Sequence, residues 1–348
     1  MRRTLKSITR SAVRAGTQVI KASLKTPPAK PVKRTPAAAK RKPAAKTSAA
    51  APAVSVGQWT PGVAGARRYH LYKPPGVRAT EHLPLMVMLH GCGQDAAVMA
   101  ASTQMNRIAA RERFLVLYPE QDRSANLQGC WNWFDTRTGR AQREADSIDS
   151  TIAQVCQKHP VDPTRIALAG LSAGASLATL MATRHPARYQ AVATHSGVPP
   201  GAANSTATAL GAMRGRRAAG ALSPLAAGQH LPALLVIQGS LDSLVAPSNG
   251  AAAAHLWATR EGATASPARS VQRGARYPAT VTDFKTRGRL VATLCLVSGL
   301  GHAWSGGTAG QAYSDPKGPN ASRMIWAFAA KAFARNAAGR LAPAKLSA

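Results

Sequence analysis

Between residues 83 and 299, short unbroken apolar runs alternate with longer stretches of helical periodicity. The runs are LPLMVMLH (83–90), FLVLYPE (114–120), RIALAGLS (165–172), AVATHSG (191–197), PALLVIQG (232–239) and ATLCLVSG (292–299). Helical spacing is expected over 95–112, 143–158 (with Ile148, Ile152 and Val155 on one face), 173–186, 248–261 and 320–336. A strand buried on both faces reads as a continuous apolar run, and helical crossovers imply parallel pairing. The pattern therefore predicts an α/β protein with about six mostly parallel strands and helices on both faces. In such sheets sites form beyond the carboxyl ends of the strands, so the residues just after each run are the ones to inspect.

After RIALA comes Gly170-Leu171-Ser172-Ala173-Gly174, followed by a predicted helix. A G-x-S-x-G turn between strand and helix is a nucleophile elbow. It lifts the serine hydroxyl above the sheet at a helix N-terminus, whose amides favour negative charge. Ser172 then needs a base, and the order of partners in this arrangement is serine, acid, histidine. His302 follows the last apolar run in the Gly-rich stretch GLGHAWSGG, which makes it the candidate base. His195 ends a strand and is expected to pack, His255 lies within a helix, and His185 precedes Pro186 at a helix end. Asp242 leaves the run PALLVIQG and is the candidate acid, with a role in holding the imidazole tautomer and stabilising the imidazolium. Asp283 sits inside a predicted strand and Asp315 falls after the histidine. Backbone amides of Ala173 and of Cys92, in the turn His90-Gly91-Cys92-Gly93-Gln94, are the candidate oxyanion donors. His90 is expected to brace that turn.

Aromatic residues make up only 5% of the chain, yet Trp131, Trp133 and Phe134 cluster after FLVLYPE, and Trp304 lies two residues past His302. These tryptophans are candidate walls of a substrate pocket; the alternative is core packing under a long loop. Residues 200–230, with Arg214, Arg216 and Arg217, are expected to form a short cap over the site. Of the four cysteines, Cys92 and Cys130 fall in loops near the site, as a disulfide or as two buried thiols. No CxxC or Cys/His spacing suggests a metal, and no cofactor is implied.

Together, His90-Gly91-Cys92-Gly93-Gln94, Cys130-Trp131-Asn132-Trp133, Gly170-Leu171-Ser172-Ala173-Gly174 and Gly301-His302-Ala303-Trp304 resemble the polyhydroxybutyrate (PHB) depolymerase family of esterases, over roughly residues 65–335. The resemblance implies an α/β-hydrolase fold, a Ser/Asp/His triad, no metal, and hydrolysis of carboxylic esters; feruloyl and acetyl-xylan esterases are relatives. Polymer-degrading members usually carry a separate substrate-binding domain, whereas only 46 residues follow His302. Hydroxyalkanoate oligomers or other short esters are therefore the expected substrates. A peptidase on the same fold shares the triad but is disfavoured by the resemblance.

The net charge of +31 changes the picture at one end. Residues 1–50 hold 14 of the 45 Lys/Arg and no Asp or Glu, leaving +17 on the remainder. Residues 1–53 read as a Lys/Ala/Pro-rich disordered tail, and 54–340 as the esterase domain. Such a tail suits an anionic surface or nucleic acid, and a weakly amphipathic stretch at 5–24 suits an anionic membrane surface. A catalytically weak hydrolase scaffold that docks through this tail is the rival to an active enzyme. No transmembrane segment is expected, since no run approaches the ~20 apolar residues a span needs. Family members are often extracellular, but no apolar run of leader length follows Arg2, Arg3 and Lys6, which leaves the cytoplasm open as well.

Overall fold

The six apolar runs lie side by side. A computed structural model describes residues 57–341 apart from Ser223; the expectations for residues 1–53 lie outside the described residues. In chain order the strands are β1 (Gln58–Ala64), β2 (Arg67–Lys73), β3 (Leu83–Leu89), β4 (Leu115–Pro119), β5 (Val161–Leu171), β6 (Ala191–His195), β7 (Ala233–Gly239), β8 (Thr264–Ala265), β9 (Arg269–Val271), β10 (Ala279–Thr286), β11 (Arg289–Val297), β12 (Trp304–Ser305) and β13 (Ser314–Asp315). The central order is β4-β3-β5-β6-β7-β11, and each of these strands is parallel to its neighbours. Antiparallel strands extend both edges: β2 and then β1 beside β4, β10 with β8 and β9 beside β11. The protein has the α/β-hydrolase architecture.

Alternate side chains of each central strand serve opposite faces. Leu85, Val87 and Leu89 join one apolar core, and Met86 and Met88 the other. Helices α1 (Ala96–Thr103), α2 (Met105–Glu112) and α7 (Ala321–Leu341) cover the second face. Helices α3 (Arg140–Lys158), α4 (Ala173–Arg184) and α6 (Ser248–Arg260) cover the first. On α3 the buried positions Ala145, Ile148, Ile152 and Val155 recur at helical spacing. The short helix α5 (Thr206–Met213) belongs to the segment expected as a cap. Among the described residues no helix is long and apolar enough to cross a membrane.

One expected helix is two. Gln104 takes a left-handed backbone (φ 54°) that ends α1 before α2 begins. The break is held from far along the chain: Thr308 Oγ1 donates to the Ala101 carbonyl, the Thr308 amide to Ser102, and Gln104 Nε2 donates to Thr308 Oγ1.

Candidate active site

Ser172 sits between β5 and α4 with φ 56° and ψ −117°, a strained conformation for a residue with a side chain. The sharp reversal works because its flanks are bare. A β-carbon on Gly170 would lie 2.3 Å from the Gly174 carbonyl carbon. The Ser172 amide donates to the His195 carbonyl at 2.8 Å, tying the turn to the end of β6. Because α4 starts at Ala173, the first amides of that helix have no partner within it. The same helix start lies against the end of β3, where the turn Gly91–Gln94 is closed by Gln94 Oε1 accepting from the Gly91 amide (2.9 Å). The amides of Ala173 and Cys92 thus belong to two adjoining segments.

Asp242 follows β7 and is fully buried, while the His302 side chain keeps 8% of its surface exposed. His302 Nδ1 contacts both carboxylate oxygens, at 3.0 and 2.9 Å. With Nδ1 turned to the carboxylate, Nε2 is the ring nitrogen that remains to accept a proton. Asp242 Oδ1 also accepts from the amides of Leu244 (3.0 Å) and Val245 (2.8 Å), and Oδ2 from Gln238 Nε2 (3.2 Å). Burial alone would push this carboxyl upward. Its hydrogen bonds and the neighbouring His302 outweigh that and hold it below the usual aspartate range. The His302 loop is latched to Asp242's own turn by the Leu241 amide, which donates to the Leu300 carbonyl at 2.9 Å.

The strand order explains the assembly. Ser172, Ser196, Asp242 and His302 follow the carboxyl ends of β5, β6, β7 and β11, four consecutive strands of the sheet. The alternatives lie elsewhere. Asp283 pairs with Arg269 (2.8 Å) and Thr293 (2.7 Å) on β10, and Asp315 accepts from the Lys317 amide. His185 pairs with Asp146 at 2.9 Å, and His255 rests edge-on against Phe284.

His90 is buried and neutral in character, its pKa lowered chiefly by burial. It braces the turn by contacting the Gly91 carbonyl through Nδ1 (2.8 Å) and accepting the Gln121 amide at Nε2 (3.1 Å). Cys92 and Cys130 are joined as a disulfide, with Cα atoms 4.2 Å apart. Sequence reasoning missed the group that organises the far side of this link. Buried Glu144 on α3 accepts from the Asn132 amide (2.6 Å), from Asn132 Nδ2 (3.1 Å) and from Gln121 Nε2. A buried carboxylate facing an Asn-containing loop has no local sequence signature.

The tryptophans divide. Trp131 and Trp304 have no accessible surface, so the expectation that they wall an open pocket is corrected. The indole of Trp131 donates to the His90 carbonyl (2.9 Å), and that of Trp304 to Ser322 Oγ (3.2 Å), which anchors both in the core. Trp133 is part exposed; with Phe134 and Met213 it packs on the small cluster of Val198, Ala202, Ala203, Ala212 and Val245. Residues 202–213 of the segment expected as a cap therefore pack against the aromatic patch and the residue three past Asp242. Among the described residues no group of three or more His, Cys, Asp or Glu is placed to hold a metal ion.

Comparison with known proteins decides the family. The model of the esterase PHB depolymerase family matches residues 67–270, more than half of the chain. The chain belongs to the PHB depolymerase family of esterases. The match spans the strands that carry Ser172 and Asp242 and stops short of His302. Among curated members and relatives, the family likeness extends to poly(3-hydroxyalkanoate) depolymerase C of Paucimonas lemoignei, 35% identical over 51% of this chain and 44% of that protein. Feruloyl esterase B of Thermothelomyces thermophilus is 30% identical over 34% of this chain and 41% of that one. The aligned parts thus span less than half of these two relatives. Among solved structures, an acetyl xylan esterase from Aspergillus awamori shares the fold, with a TM-score of 0.60, 18% identity, and coverage of 71% of this chain and 94% of that one.

Proposed function

We propose that this protein hydrolyses short carboxylic esters, hydroxyalkanoate oligomers among them, through an acyl-enzyme on Ser172. The observation that carries the reading is the two-point contact of His302 Nδ1 with buried Asp242, one strand position beyond β6, which holds the Ser172 turn. Ser172 Oγ attacks the ester carbonyl while His302 Nε2 takes its proton; Asp242 keeps the imidazole in the tautomer that leaves Nε2 free and stabilises the imidazolium that results. The tetrahedral oxyanion is held by the Ala173 and Cys92 amides. His302 returns the proton to the departing alcohol, then draws one from water as the hydroxide adds to the acyl carbon; collapse releases the acid as His302 gives that proton back to Ser172 Oγ. Part-exposed Trp133, with Phe134 and Met213 of the cap, supplies an apolar wall for the acyl group.

The test is hydrolysis of a chain-length series of p-nitrophenyl esters by wild type and Ser172→Ala, with feruloyl and acetyl-xylan esters beside hydroxybutyrate oligomers. Activity lost in the variant supports the assignment, and the preferred ester names the substrate class. Full activity in Ser172→Ala ends it. Absence of activity from both proteins favours the docking scaffold with a polyanion-binding tail at residues 1–53.

A further inference from the structure

His195 touches every arm of the candidate site. Its carbonyl holds the Ser172 amide at 2.8 Å. Its ring is buried, stacks on Trp304 with centroids 5.2 Å apart, and accepts the Ser305 amide at Nε2, 3.0 Å away. That contact lies three residues beyond His302. An Nε2 that accepts carries no proton, so the ring proton of this neutral imidazole resides on Nδ1. Burial foremost, and then His302, push the pKa of His195 down to about 3, so it stays neutral. Nδ1 lies 3.2 Å from Ser196 Oγ and therefore donates to it. The hydroxyl proton of Ser196 is then left for an acceptor, and the acceptor beside it is the Asp242 carboxylate. Protons thus run one way, from the Ser305 amide to His195 Nε2 and from His195 Nδ1 to Ser196 Oγ, and the Ser196 hydroxyl in turn helps hold the Asp242 carboxyl low.

Ser196 adds an independent observation. It is fully buried and held at φ 57°, where glycine costs less than any other residue. Its amide donates to the Ile237 carbonyl of β7, the strand that delivers Asp242. A side chain retained at a strained, buried position is accounted for by what its hydroxyl does.

We propose that His195 and Ser196 are positioning residues which fix Asp242 and the His302 loop relative to one another, so that acid and base are set before substrate arrives. This rests on the reading of Ser172, Asp242 and His302 as a triad. The titratable groups facing Asp242 are His302 and His195; its other donors, Gln238 and the Leu244 and Val245 amides, are neutral.

The experiment uses Ser196→Gly, Ser196→Ala and His195→Gln in the full chain. Glycine accepts φ 57° without strain, so Ser196→Gly removes the hydroxyl while leaving the turn intact. The expected result is a folded enzyme whose kcat falls about tenfold or more with KM within about twofold. The acid limb of kcat/KM moves to higher pH, because a carboxylate with one donor fewer stabilises the imidazolium of its partner more strongly. His195→Gln combined with Ser196→Gly costs far less than the product of the single losses, since both interrupt one chain. Unchanged kcat and an unmoved acid limb in folded Ser196→Gly overturn the proposal. So do losses that multiply in the double variant. Should Ser196→Gly fail to fold, the limb in Ser196→Ala decides in the same way. Failure of the triad reading is separately visible as full activity in Ser172→Ala.

Discussion

Gly174 passes so close to Leu89 that a β-carbon on it would stand 2.2 Å from the Leu89 carbonyl oxygen. The contact is with backbone of the central strand β3, which cannot swing aside as a side chain would. Gly174→Ala is expected to destabilise by at least ~2 kcal/mol through overpacking and to lose activity by shifting α4 away from the His90–Cys92 turn. Urea unfolding read beside ester turnover checks this; a stable, fully active variant contradicts the close approach.

Ser172→Ala removes one oxygen from a turn whose backbone does not change. Turnover is expected to fall by about 10⁴-fold or more, with the thermal midpoint of unfolding near that of wild type. A matched pair of rate and melting measurements separates loss of the proposed nucleophile from loss of the fold.

Asp242→Asn keeps the shape of the side chain and removes its charge. With the carboxylate gone, the imidazole is no longer held in the productive tautomer, and kcat is expected to fall about 10⁴-fold with little change in KM. A change confined to KM would assign Asp242 to substrate binding instead.

Stability should decline on mild acidification, and the sign follows from His195. Its folded pKa of about 3 lies below its ordinary value of 6.5. The unfolded chain therefore takes up a proton that the folded one refuses. The stability this contributes is fully present above pH 6.5 and is lost as pH falls toward 3. The slope is about 1.4 kcal/mol per pH unit for each such histidine, and buried His90 shifts in the same direction. Asp242 and Asp283, both held low, add their own loss only below the ordinary aspartate value of 3.8. Urea unfolding at pH 7, 6 and 5 checks this, and a flat free energy over that range contradicts it.

The Cys92–Cys130 bond closes a loop of sequence separation 38. On the chain-entropy account, such a loop corresponds to about 4 kcal/mol. Cys130→Ser, or reduction, is expected to lower stability by a large part of that. It should also slow turnover, since the Cys92 amide loses its tether. Activity that survives reduction while stability falls would remove the bond from the oxyanion argument.

The six parallel strands were legible because burial on both faces leaves unbroken apolar runs, and the placement of Ser172, Asp242 and His302 at strand ends was legible because each comes at or just after the end of such a run. The edges were not. β1 is largely exposed and contains Pro61 and Gly62, and β8 and β9 are two and three residues of exposed chain. Neither carries the periodicity of a buried strand. The break at Gln104 depends on Thr308, some two hundred residues away. Trp131 and Trp304 looked like pocket walls because aromatics near a site are ambiguous from sequence: the same residue type lines a cavity or fills one. His195 was expected to pack, and it does; the hydrogen bonds made by its two ring nitrogens while packing have no sequence signature.

The order of the strands along the chain has a temporal consequence. Ser172 is synthesised 130 residues before His302, and the strand that delivers His302, β11, must slot between β7 and β10. On the proposed assignment, a nascent chain exposes a serine with no general base until its last central strand docks. Ester turnover is then silent during synthesis and begins only once the sheet is complete. In refolding, the return of activity clocks the arrival of β11 rather than the collapse of the core.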